Sequence, residues 1–163
     1  MAKFTWDHVH LKTSDPEKMG QWFETMFGAE GTRSTFQGKP RVDLKVGGMN
    51  VFITDGKEHK PAPGIPHRGL EHFGIQVSDI DAVAAELKAK GCEFTREPTT
   101  TPSGLRICFI RGPEGISIEE LERDIIIKAM DRAGWVIAKA APLLGMSYKT
   151  LQYRLEKFGI EKP

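Results

Sequence analysis

Two stretches of this chain set a histidine in the same surroundings: DHVHLKTSD (Asp7–Asp15) and EHFGIQVSD (Glu71–Asp79), offset by 64 residues without a gap. Each has an acid, then the histidine, then an apolar residue, and each closes on Ser-Asp. A neutral imidazole is a ligand for first-row metals and titrates near neutral pH. Two of them at equivalent positions therefore point to metal coordination, against the plain alternatives of histidines packed or exposed on strands or lining a metal-free binding cleft. His10 lies two residues beyond His8, so on an extended strand it shares that face. His59 and His67 fall in a Pro- and Gly-rich stretch and are expected in solvent.

The surrounding pattern shows how such residues are carried. A strand-like run covers Phe4–Thr13. Asp15 is placed to cap a helix that has Pro16 at its first position, runs to about Phe27 and ends at Gly28. Three strands are predicted near Gly31–Phe36, Arg41–Val46 and Asn50–Thr54, the last two joined by Gly47-Gly48. After a linker over Asp55–Gly69 the pattern restarts: strand Leu70–Val77, amphipathic helix Asp79–Lys90, Gly91, then strands Cys92–Arg96, Leu105–Arg111 and Ile116–Leu121, with GPEG as the last turn. Each half reads strand, helix, three strands. Such a unit is too small to bury its sheet alone, so two copies are expected side by side.

From about Asp124 the pattern changes to three helix-length segments, DIIIKAMDRAG, AKAAPLLG and SYKTLQYRLEKFG, each ended by glycine. Charge changes there too: residues 1–123 carry −2 and residues 124–163 carry +3, within an overall +1. The division predicted is 1–123 and 124–163. Hydrophobic content of 39% and charged content of 28% suit a chain that buries a real core. No run of about 18 apolar residues predicts a membrane span, and the N-terminus lacks a signal-peptide core, so a cytoplasmic protein that does not engage membranes is expected. Cys92 and Cys108 are expected as reduced, buried thiols.

The doubled βαβββ unit with a histidine near the start of each first strand resembles the vicinal oxygen chelate superfamily, which includes glyoxalase I, extradiol dioxygenases and fosfomycin resistance proteins. The residues carrying the resemblance are DHV (Asp7–Val9), EHFGIQVSD and GPEGISIEEL (Gly112–Leu121), over about Phe4–Glu122. The fold class expected is α+β, paired βαβββ repeats followed by a small all-α helix-turn-helix module. The resemblance implies His8, His72 and Glu119 as ligands to a divalent ion (Fe, Mn, Zn or Ni), with His10 and Glu120 as competitors. At the family's fourth ligand position this chain has Phe52, which neither binds metal nor moves protons.

The tail AMDRAGWVIAKAAPLLGMSYKTLQYRLEKFGI (Ala129–Ile160) resembles the helix-turn-helix of the Fis family, on Ala129, Gly134, Ala140, Ala141, Leu144, Gly145, Ser147, Thr150, Leu151, Leu155 and Gly159. Gly145 suits the turn and Ser147 the cap of the second helix. Leu151, Leu155 and Phe158 form its inward stripe. The DNA-facing residues this implies are Ser147, Tyr148, Lys149, Thr150, Gln152, Tyr153, Arg154 and Lys157. Pro142 is expected to kink or delay the preceding helix.

Two readings follow. One is a DNA-binding transcriptional regulator whose first domain senses a small molecule or metal, acting as a homodimer on paired half-sites. The other is a metal-dependent enzyme of the glyoxalase, dioxygenase or fosfomycin-resistance kind with an appended tail. Phe52, and the lack of tyrosine before Tyr148, weigh against the second.

Overall fold

The computed structural model describes residues 6–64, 68–101, 105–122, 125–158 and 160–162, with the backbone alone at 125, 157 and 158. His67, Gly159 and the side chains of Lys157 and Phe158 therefore lie outside the described residues, as do positions 4 and 5 of the first predicted strand.

The first repeat is β1 (His8–Thr13), α1 (Pro16–Phe27), β2 (Glu30–Phe36), β3 (Lys39–Val46) and β4 (Met49–Asp55). The second is β5 (His72–Gln76), α2 (Ile80–Ala89), β6 (Glu93–Thr100), β7 (Arg106–Arg111) and β8 (Ser117–Glu122). The sheets have matching orders, β1-β4-β3-β2 and β5-β8-β7-β6, and each starts from a parallel pair, β1 with β4 and β5 with β8. The predicted doubling is thus realised strand for strand.

The repeat also duplicates its caps. Asp15 Oδ1 accepts from the Lys18 amide at 3.0 Å, and Asp79 Oδ1 from the Ala82 amide at 3.0 Å; such a cap contributes about 1 kcal/mol. Gly47 and Gly48, at φ 55° and 86°, make the β3–β4 hairpin turn. A second turn of this kind, Gln37-Gly38 at φ 51° and 75°, joins β2 to β3 and was not anticipated.

Both sheets bury their helix-bearing faces in one core. Met19, Phe23, Val42, Val51 and Ile53 of the first repeat meet Leu87, Ile110 and Ile118 of the second. Polar groups add a staple between the repeats: Glu114 Oε1 accepts from Thr13 Oγ1 at 2.8 Å, the Ser14 amide at 2.9 Å and Ser14 Oγ at 3.0 Å. Cys108 is buried as expected, whereas Cys92 is only half-buried, and both are free thiols.

The C-terminal segment forms α3 (Ile125–Arg132), α4 (Ile137–Leu143) and α5 (Tyr148–Phe158) around a separate core of Ile126, Ala129, Met130, Ala133, Ala140, Ala141, Leu151 and Leu155. Gly145, at φ 62°, supplies the left-handed residue that the α4–α5 turn requires. Pro142 is housed in the last turn of α4, which stops one residue later, so the helix is short rather than kinked in the middle. Among the described residues no helix is long and apolar enough to cross a membrane.

Candidate functional site

Strand register decides which side chains share a face. In the second repeat His72 pairs with Ser117, and Gly74 with Glu119, so His72 and Glu119 project from the face that α2 leaves uncovered. His72 Nε2 lies 3.4 Å from Glu119 Oε2. The other imidazole nitrogen, Nδ1, is 3.0 Å from Glu71 Oε2, and the ring meets Phe109 edge-on at 5.2 Å. A Cβ on Gly74 would come within 2.9 Å of Leu121 Cδ2 and 3.5 Å of Glu119 Oε2, so the glycine keeps room beside this pair. A cleft of about 420 Å³ adjoins it, lined in part by Glu71, Arg96, Phe109, Arg111 and Ser117. Another cavity, about 230 Å³ and mainly apolar, separates Val9 and Val51 from Phe73 and Ile75 at the junction of the repeats.

The competitor Glu120 faces the other way, as strand alternation demands. It is fully buried beneath α2, where Cys108 Sγ donates to its Oε2 at 3.3 Å and Oε1 has no partner. Burial pushes its acid up to about 7, against the smaller opposing pull of the Cys108 hydrogen bond.

In the first repeat His10 pairs with Phe52, the counterpart of Glu119, and His8 with Asn50. Phe52 sits on the central strand between His8, stacked on it at 4.5 Å, and Arg41, whose guanidinium carbon is 4.4 Å from the ring centroid. Arg41 Nε donates to Asp43 Oδ1 at 2.6 Å. His8 Nδ1 is 2.6 Å from Asp7 Oδ2, and His10 Nε2 is 2.9 Å from Thr54 Oγ1. His10 is held below the ordinary imidazole value, first by burial and then by the positive charges of Lys12 and Arg41.

The expected ligand trio is therefore brought together only in part. His72 and Glu119 converge, but among the described residues no three His, Cys, Asp or Glu side chains stand close enough to hold a metal ion. His8 and His72 stand on different sheets, and among the described residues no strand of one sheet pairs with a strand of the other. A divalent metal of the kind the family resemblance implies does not fit the donors as they stand: two converge, and an aromatic ring fills the fourth position.

In the C-terminal module Ser147 Oγ accepts from the Thr150 amide at 3.2 Å, closing the first turn of α5. Leu151 and Leu155 turn inward, while Tyr148, Lys149, Gln152, Tyr153 and Glu156 are exposed. Arg154 corrects the sequence expectation. It is 9% exposed and its Nη1 donates to Met146 Sδ at 3.4 Å, so it serves the interior of the module rather than the outer face. Sequence reasoning also missed Glu122. This buried residue accepts from the Ile80 amide at 3.3 Å and pairs with Lys128 Nζ of α3 at 2.7 Å. The run of glutamates in EELE, with alternate members facing the core, is the local signal for it.

Comparison with known proteins gives two family matches. The family described as bacterial regulatory protein, Fis family, matches residues 117–158, and the Glyoxalase/Bleomycin resistance protein/Dioxygenase superfamily matches residues 5–119. A segment of 42 residues is 50% identical to a Nif-specific regulatory protein of Rhodobacter capsulatus, covering 26% of this chain and 7% of that protein. A segment of 56 residues is 43% identical to a probable chloroplastic lactoylglutathione lyase of Arabidopsis thaliana, covering 34% of this chain and 16% of that one. Among solved structures, a glyoxalase family protein from Enterococcus faecalis superposes with a TM-score of 0.66 at 23% identity, over 75% of this chain and 100% of its own. The chain thus spans only a small part of those two sequence relatives, whereas one superfamily accounts for most of its own length. With its paired βαβββ repeats, the chain belongs to the Glyoxalase/Bleomycin resistance protein/Dioxygenase superfamily.

Proposed function

We propose that this protein is a DNA-binding transcriptional regulator whose glyoxalase-like domain binds a small molecule. The observation that carries the reading is the outer face of α5. A capped helix presents Lys149, Gln152 and Tyr153 to solvent on a module with its own core, packed as a helix-turn-helix with α4. The Fis-family match over the same residues supports it. The ligand side of the reading rests on the cleft next to the His72–Glu119 pair, where the Glu71 carboxylate, Arg96, Arg111 and the Phe109 ring offer hydrogen bonds, charge and an aromatic surface to a polar small molecule. A homodimer is proposed because such modules read paired sites.

Fluorescence anisotropy of the full chain on random-sequence duplexes tests the DNA claim. Binding at low salt, with dissociation constants on the order of 10⁻⁴–10⁻⁶ M rising steeply with salt, is the expected result. Lys149→Glu should weaken it at least tenfold. Absence of binding at low salt ends the reading.

A second reading, an enzyme using the His72–Glu119 pair for proton transfer, is favoured by their 3.4 Å approach alone. Turnover of a glyoxalase-type or phosphonate substrate that is lost in both His72→Ala and Glu119→Gln would establish it.

A further inference from the structure

The outer face of α5 carries no guanidinium. Arg154 is the single arginine of α5, and it is turned inward with its Nη1 on Met146 Sδ at 3.4 Å. The guanidinium fork that makes the commonest specific contact, bidentate to guanine O6 and N7, is therefore missing from the surface that faces outward. In the middle of that face stands Gln152, whose Nε2 donates to Glu156 Oε1 at 3.3 Å one turn further on. This bond uses one amide hydrogen and fixes the plane of the group. The second amide hydrogen and the carbonyl oxygen remain, one donor and one acceptor side by side. They match the N7 acceptor and N6 donor that adenine shows in the major groove. Beside Gln152, Tyr153 is 61% exposed and offers a ring to the thymine methyl group. Lys149 is a flexible point charge suited to phosphate.

We infer that α5 reads adenine through Gln152, oriented by Glu156, and discriminates against guanine at that position. This rests on the proposal that α5 enters the major groove. The test is selection of bound duplexes from a random pool by the full chain at fixed salt, followed by anisotropy on the enriched site and its single-base variants. The wild type should enrich adenine at one position of each half-site, with guanine there binding about 10- to 100-fold more weakly. Gln152→Ala should flatten the preference at that position alone, Gln152→Arg should convert it to guanine, and Lys149→Ala should weaken all sequences alike. Thermal melts confirm that these surface variants remain folded. Enrichment of guanine at the position Gln152 governs, or an unchanged base profile in Gln152→Ala while duplex binding persists, overturns the inference. A wild type that binds no duplex at all removes the DNA-binding reading and this inference with it.

Discussion

Glu122, the last residue of β8, holds the ammonium of Lys128 in α3 at 2.7 Å. Its second oxygen accepts from the amide of Ile80, at the start of α2, at 3.3 Å. One buried carboxylate thus ties the strand that also bears Glu119 to the first helix of the C-terminal module. Asp79 stands at the same joint: its carboxyl is held below the usual range mainly by the Ala82 amide, with smaller contributions from Lys128 and Arg132. In a double-mutant cycle with Glu122→Gln and Lys128→Met, urea unfolding should give a coupling energy of about 1–2 kcal/mol, reduced from a fully buried pair because Lys128 is partly solvated. Additive effects would show that the contact does no coupling.

Glu120 should make the protein less stable at alkaline pH. Its acid lies at about 7 in the fold against an ordinary 4.5, so the folded state binds the proton more tightly than the unfolded chain. Stability is then greatest below the ordinary value and falls as pH climbs from there through about 7. Glu120→Gln, which cannot ionise, should raise stability at pH 8 by on the order of 2–3 kcal/mol and flatten the profile between those limits. Equal pH profiles for variant and wild type would contradict this.

The Glu114 staple should act with the opposite sign. Its carboxyl is held below the usual range, first by the Ser14 amide and then by the Thr13 and Ser14 hydroxyls. Its stabilisation is present above the ordinary carboxylate value and is lost as pH falls through the lowered one. Because the group is exposed, Glu114→Gln should cost only about 1 kcal/mol at neutral pH, with the difference vanishing in acid. Calorimetry at several pH values measures both.

Phe52 should be the residue that keeps metal away from the first repeat. Phe52→Glu places a carboxylate beside His8 and His10, whose rings stand 6.5 Å apart, as Glu119 stands beside His72. Titration calorimetry with Zn²⁺ or Ni²⁺ should show affinity at least tenfold above wild type, lost again on His8→Ala. No gain would mean that these side chains do not converge in solution.

Much of this was legible locally. The two Ser-Asp caps, Pro16, the glycine pair at Gly47-Gly48 and the alternation of β1 and β5 each fix an element within a few residues, and the register then separates Glu119 from Glu120. What escaped depends on distant partners. Glu114 meets Ser14 across 100 residues. Arg154 reads as a surface cation until Met146 is seen to take its Nη1. Only His72 and Glu119 of the trio converge among the described residues, because a repeat pattern fixes which face each histidine occupies but not how the two sheets are placed against each other.

Only Arg123 and Asp124 separate β8 from α3, a tether that spans at most about 11 Å even when fully drawn out. In the proposed dimer the two α5 helices therefore cannot wander far from their domains to find their targets. The protein would dictate the helical phase of its binding sites: five base pairs inserted between them, half a turn of the duplex, would carry one site to the far side of the DNA, beyond that short reach.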